Sequence, residues 1–283
     1  MFSIETWGKM SHSCLYLYAP KLQEHIHILR ISKNYLMDAI LKYIFLFLSV
    51  STLQGCSNDD DTTNSPNNVT VTNKIMPLGA SRVEGARPIF ESFRYELWKD
   101  LVENGWTFDF IGTNTDEANY PAFNNSNFDI DHEGRSGWTS GQILSQLDSW
   151  LDQSGAPDIV LFSSPAGNDA LLNLPYDQAI SNINGIIDVL QAANPNVTII
   201  MEQMAPGLSS IMTTELTNYF TNLQQDTATI ATQQSTATSR VMVVDMFTGF
   251  SDALLADDVH YNEAGAEFIA TRYYNVLVNV LQQ

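Results

Sequence analysis

The chain of 283 residues is short of the groups that cross-link small proteins. It holds two cysteines, Cys14 and Cys56, and five histidines, of which only His132 and His260 follow Cys56. Beyond Cys56 a disulfide framework and a Cys-ligated metal centre are therefore excluded. Basic side chains are scarce too: 13 Lys and Arg face 32 Asp and Glu, a net charge of −19. Residues 1–56 carry five Lys/Arg and three Asp/Glu, so the remainder has eight against twenty-nine, a net of −21. A surface of that sign repels nucleic acid and anionic lipid, and favours solubility and neutral partners. Also missing is any unbroken run of ~18 apolar residues, the length a membrane-spanning helix needs.

What the chain does have is a shorter apolar run, Tyr43–Leu53 (YIFLFLSVSTL), preceded by Lys42 and ending in Leu53-Gln54-Gly55-Cys56. Its length suits a signal-peptide core, and its end resembles the lipobox of bacterial lipoproteins. That resemblance implies lipidation of Cys56, which becomes the mature N-terminus. Residues 37–56 are then a lipoprotein signal peptide starting at Met37, and residues 1–36 are expected to lie upstream of the working start. Residues 57–72 are Asp, Asn, Thr, Ser and Pro with almost no large apolar side chain, the composition of a flexible tether. An acidic run just after the lipid Cys is similar to a surface-export signal, and equally to a plain solvated spacer. The expected product is an exported lipoprotein, held by its anchor alone at the periplasmic or outer face, with one domain over residues 73–283.

Within that domain short β-rich runs alternate with helical stripes. The runs are Lys74–Leu78, Thr107–Ile111, Asp158–Phe162, Val197–Met201 and Val241–Met246. Ile89, Phe93, Leu97 and Leu101 recur every fourth residue, and that helix stops at Gly105. Ile143, Leu147 and Leu151 follow a Thr139/Ser140 cap. Ala179, Ile183, Ile186, Ile187 and Leu190 form a third stripe; Leu216, Phe220 and Leu223 a fourth; Phe268, Tyr273, Val276 and Val280 a fifth. Apolar strands separated by helices predict a five-stranded parallel sheet covered on both faces, a three-layer α/β/α sandwich. Such sheets bind ligands at the carboxyl ends of their strands. That rim receives Ser81, Asn168, Asp257 and His260.

The segments IMPLGASRVEG, HEGRSGWTSGQI, AGNDA and DDVHYNEAG resemble, in order, the four motif blocks of the SGNH (GDSL-type) hydrolases. The resemblance spans residues 74 to 283 and implies that family's flavodoxin-like fold and a serine esterase. Two positions depart from the family pattern: Ala80 replaces the usual Asp, and Arg82 an apolar residue. By motif, Ser81, Asp257 and His260 correspond to the catalytic triad, and Ser81, Gly137 and Asn168 to the oxyanion hole. The chemistry fits the residue types. A serine hydroxyl is a weak nucleophile until an imidazole takes its proton. A carboxylate on the other ring nitrogen fixes the tautomer. Amide donors stabilise the oxyanion. No cofactor or metal is called for.

Each residue also has a plainer use. Ser81 can cap a helix, Asn168-Asp169 can form a turn, and Asp258 competes with Asp257 as the imidazole partner. Asp257 is preferred for its three-residue spacing. His132 and Arg82 are candidate substrate-binding residues, His132 being equally readable as a core histidine. Asp129, Asp131, Glu133 and Gly134 echo the start of a calcium loop, but Ser140 stands where its closing Glu belongs. The segment HEGRSGW is similar to that of carbohydrate acetylesterases, which implies an acetylated sugar as substrate. A lysophospholipase or thioesterase, and a non-catalytic glycan-binding lipoprotein, are the alternatives.

Overall fold

The computed structural model describes residues 73–282. The expected signal peptide, lipobox at Cys56 and tether lie outside the described residues. In chain order the elements are β1 (Lys74–Gly79), α1 (Ser81–Glu84), α2 (Arg94–Glu103), β2 (Asp109–Phe110), β3 (Asn114–Thr115) and β4 (Asp131–Gly134). Then follow α3 (Ser140–Ser154), β5 (Ile159–Phe162), α4 (Gly167–Leu171), α5 (Tyr176–Ala193) and β6 (Thr198–Gln203). The chain closes with α6 (Thr214–Gln234), β7 (Arg240–Asp245), a single 3-10 turn at Asp252–Leu254, and α7 (Glu263–Leu277).

The strands form one sheet in the order β3-β4-β1-β5-β6-β7, with β2 also beside β1. All pairings are parallel except β3 with β4. The sheet thus has seven strands among the described residues rather than five. The two unforeseen ones are β3 and β4. The lane beside β1 is shared: β2 pairs at Lys74 and Ile75, β4 at Leu78 and Gly79. Ile75 and Gly79 turn their carbonyls to that lane, bonding Ile111 N and Arg135 N. Pro77, two residues from each, points the same way. Its missing N–H therefore faces the break between β2 and β4, where no ladder bond is lost.

Side chains alternate across the strands and build two cores. Met76, Leu78, Val160, Phe162, Ile199 and Met201 pack against α3, α5 and α6. Ile75, Ile159, Leu161, Ile200 and Val244 pack against α2 and α7. Most of these residues are wholly buried, each worth about 1.5–3 kcal/mol of transfer free energy. The predicted stripe on α5 is buried throughout. Thr139 caps α3 through a reciprocal bond pair with Gln142, as its sequence position suggests. The first stripe differs from expectation: α2 starts at Arg94, and Ile89 is 76% exposed outside it. On α7 the buried face is Ala266, Ile269, Ala270, Tyr273 and Leu277, with Phe268 and Val276 on its flanks. The two ends of the domain are clasped. Asn73 donates from Nδ2 to Gln282 O, and Gln282 N donates back to Asn73 Oδ1, both at 2.7 Å.

Candidate active site

Strand β1 delivers its last residue, Gly79, into a crowded corner. A Cβ there would lie 2.8 Å from Ser163 O and 2.9 Å from Val83 Cγ2, so only glycine fits. The chain then turns directly into the single turn of α1, whose first residue is Ser81. This puts the serine hydroxyl at the carboxyl edge of the sheet, facing the loop that precedes α7. Asn262 caps α7 by accepting from Gly265 N at 3.0 Å, which fixes how that loop enters the helix.

The loop brings His260 to Ser81. His260 Nε2 lies 2.8 Å from Ser81 Oγ, across 179 positions of sequence. On the other side of the ring, Nδ1 is 2.8 Å from Asp257 Oδ2 and 2.9 Å from Oδ1. Asp257 Oδ1 also accepts from Val259 N at 2.9 Å and His260 N at 2.8 Å. The three-residue spacing is thus an Asx-type turn that folds the carboxylate back under its own histidine. Partial burial pushes the Asp257 carboxyl up, but the Val259 N–H bond and the contacts with His260 outweigh it and hold the group below its ordinary value. An anionic partner keeps the proton on Nδ1 and leaves Nε2 as the acceptor for Ser81. Asp258 is exposed, and its backbone carbonyl receives Leu208 N at 2.7 Å. Of the two acidic residues, Asp257 is the one in contact with the imidazole.

Phe90 completes the histidine's environment. Its ring stacks on His260 with centroids 3.8 Å apart and planes 13° from parallel. Its loop is held in place by Glu91 N donating to Tyr261 O at 2.8 Å. Nothing in the sequence marks Phe90, which lies in an irregular segment.

Asn168 is the second residue of α4 and lines the same cavity as Ser81. One of its amide hydrogens is directed to Trp138 O at 2.8 Å. An amide carries two donors, so the other remains for a ligand. Its neighbour Asp169 is not a simple turn residue. It is buried and accepts from Ser140 N at 2.8 Å and Ser140 Oγ at 2.7 Å, which joins α4 to the start of α3. Together these bonds tie Asn168 to the loop carrying Gly137. Gly137 has φ +78°, a left-handed conformation that favours glycine, while a Cβ there would meet open space. Its conformation, not protein crowding, accounts for the glycine. In the same loop Gly134 N donates to His132 Nδ1, Arg135 N to Gly79 O, Ser136 N to Glu84 and Trp138 N to Arg135 O.

Two expected substrate-binding residues have other duties. Arg82 is only 7% exposed. Its guanidinium donates to Val259 O (2.8 Å), Ala205 O (2.9 Å), Pro206 O (3.1 Å) and Ser164 Oγ (3.2 Å), and lies over the Tyr261 ring. It borders the cavity, but these four acceptors leave it little to offer a ligand. Arg82 instead joins α1 to the loops after β5, β6 and β7. Beneath it, buried Glu202 accepts from Ser164 N at 2.7 Å and from Tyr273 OH at 2.8 Å. His132 lies on β4, fully buried, where Nδ1 accepts from Gly134 N at 3.0 Å. Burial, aided by the charges of Arg94 and Arg135, pushes its pKa down to about 2, so the ring is neutral. It is a core histidine. Two carboxylates of the calcium-like stretch are likewise engaged: Asp129 accepts from Phe110 N, and Glu133 from Thr113 and Arg135.

The cavity beside Ser81 has a volume of about 30 Å³. Its apolar walls are Leu171, Met204, Phe220 and Val259. That is room for roughly two water-sized groups. Ser81 and Asn168 thus border a small, largely apolar space, and His260 and Asp257 follow in series from Ser81 Oγ.

The profile of the GDSL-like lipase/acylhydrolase family matches residues 101–268, a span that includes Asp257 and His260 and begins after Ser81. No curated protein matches. Among solved structures, a carbohydrate esterase family 3 protein from Talaromyces cellulolyticus is 27% identical, with a TM-score of 0.64 over 74% of this chain and 97% of its own. An acetyl esterase mutant solved with an acetate ion gives the same values. The family 3 carbohydrate esterase of Clostridium thermocellum is 28% identical, with a TM-score of 0.58 over 75% of this chain and 100% of its own. The chain belongs to the GDSL-like lipase/acylhydrolase family and is an ester-hydrolysing enzyme.

Proposed function

We propose that the enzyme removes acetyl groups from carbohydrate esters by a serine-nucleophile mechanism. The observation that carries this reading is the conjunction of the Ser81–His260–Asp257 chain of hydrogen bonds with a 30 Å³ apolar cavity at its end. Ser81 Oγ attacks the ester carbonyl carbon as its proton passes to His260 Nε2. The carbonyl oxygen becomes an oxyanion, facing the N–H groups of Ser81 and Gly137 and the free amide hydrogen of Asn168. Collapse breaks the bond to the sugar oxygen, which leaves as the alcohol with the proton from His260. Water then repeats the sequence on the acetyl-serine, releasing acetate and restoring Ser81.

The size of the cavity favours acetate over the long acyl chains of a lysophospholipase. The similarity to family 3 carbohydrate esterases supports a sugar as the alcohol. The lipobox supports display of the enzyme on the periplasmic or outer face through lipidated Cys56. The direct test uses acetylated xylan and p-nitrophenyl acetate with the wild type and Ser81→Ala. Acetate release by the wild type and none by the variant is the expected result. A fluorophosphonate probe should label Ser81 alone; labelling of another serine, or full activity in the variant, would overturn the assignment.

A further inference from the structure

The small cavity has a larger neighbour. A cleft of about 420 Å³ lies beside it, with Ile211, Leu216 and Tyr219 among its apolar walls and Asn173, Thr213 and Glu215 among its polar ones. Among the described residues, Leu171 is the one that lines both spaces. The remaining apolar walls of the small cavity are fixed. Met204 and Phe220 belong to the buried core on the α3/α5/α6 face, and the Val259 carbonyl is held by Arg82. Leu171 differs from them. It ends the five-residue helix α4 and is 39% exposed. It belongs to neither buried core cluster.

We infer that Leu171 is the partition that restricts the enzyme to very short acyl groups, and that the cleft behind it can receive a medium-length acyl chain once the partition is cut back. This rests on the proposed acyl-enzyme chemistry at Ser81. An ester bound there places its apolar acyl end in the apolar cavity and its polar alcohol toward solvent. An acyl chain longer than acetyl meets the Leu171 side chain. Leu171→Ala removes three carbon atoms from the shared wall and leaves Ser81, His260 and Asn168 untouched. The apolar cleft walls Ile211, Leu216 and Tyr219 then offer a surface for the added methylenes.

The experiment compares kcat/KM for p-nitrophenyl acetate, butyrate, hexanoate and octanoate in the wild type, Leu171→Ala and Leu171→Phe. The hexanoate-to-acetate ratio should rise by at least about 10-fold in Leu171→Ala, the scale of one or two methylenes in a pocket, and should not rise in Leu171→Phe. Adding Leu216→Asp to Leu171→Ala should abolish the gain on hexanoate and spare acetate, because the charge falls where the chain would lie. An unchanged ratio in Leu171→Ala overturns the partition, as does a wild type that already prefers hexanoate. Hydrolysis that survives Ser81→Ala overturns the reading of the site and the partition with it, so the two failures are distinguishable.

Discussion

Arg82 Nε donates to the carbonyl oxygen of Val259 at 2.8 Å, so the residue after Ser81 grips the residue before His260. The same guanidinium reaches Ala205 O and Pro206 O on the loop after β6. The Ser81–His260 contact is thus braced by a side chain in contact with neither reacting atom. A displacement of about 1 Å at a reacting pair can cost about 10²-fold in rate. Arg82→Met, similar in length but without donors, should lower kcat by about that factor while KM for p-nitrophenyl acetate changes less than about threefold. Arg82→Lys, with one ammonium for four acceptors, should fall between. A KM effect with intact kcat would instead make Arg82 a ligand-binding residue.

Asp257 and Asp258 offer an internal comparison, since losing either carboxylate changes the net charge equally. Asp257→Asn removes the anion that receives the imidazole N–H and can stabilise the wrong tautomer. It should reduce kcat by about 10⁴-fold. Asp258→Asn leaves both His260 contacts in place and should stay within about twofold of wild type, because an exposed side chain without partners carries little energy. Steady-state kinetics on the two purified variants checks this. Greater damage from Asp258→Asn would reverse the assignment.

Asn168→Ala deletes both the bond to Trp138 O and the free amide donor. Loss of one oxyanion donor typically costs about 10²–10³-fold in kcat with little change in KM. Asn168→Asp keeps the side-chain shape but loses donors and places negative charge near the developing oxyanion, so it should be at least as damaging. Kinetics of the pair against p-nitrophenyl acetate separates a transition-state donor from a ground-state contact, which would move KM.

Asp129 carries a pH signature. Burial pushes its pKa up to about 6, against the opposing effect of the Phe110 and Asp131 N–H groups. The folded protein therefore holds this proton at pH values where the unfolded chain, with an ordinary carboxyl near 3.8, has lost it. Stability from this group is complete below pH ~4 and declines as pH rises to ~6. Asp129→Asn can still accept from Phe110 N and no longer ionises. It should raise stability at pH 8 by on the order of 1 kcal/mol after allowance for solvent screening, and change little at pH 4. Thermal melts at the two pH values decide it; equal effects at both would remove ionisation as the cause.

The readable parts of this chain are those whose signal is local. Lys74–Leu78, Asp158–Phe162 and Val197–Met201 are apolar enough to be strands by themselves, and each lies within one residue of its strand's start. β4 reads Asp-His-Glu-Gly, which carries no strand signal. It is extended because β1 offers an open lane at Leu78 and Gly79. Ile89 has the right spacing for a helix, but its segment bridges to Tyr261 instead of continuing into α2. Asp257 and His260 could be paired because their contact closes over three residues. The bracing role of Arg82 could not be read, because three of its four acceptors are backbone carbonyls 123 to 177 positions away, and backbone acceptors leave no mark in a sequence. Phe90 was hidden for the same reason: stacking needs only proximity, which the loop supplies.

The clasp between Asn73 and Gln282 has a consequence for orientation. It sits at the amino end of β1, whereas Ser81 lies beyond that strand's carboxyl end. Asn73 and Gln282 thus lie on the pole of the domain opposite Ser81. A tag or a carrier domain added at the carboxyl end would sit on the same sheltered pole, leaving the approach of a bulky polymer unobstructed.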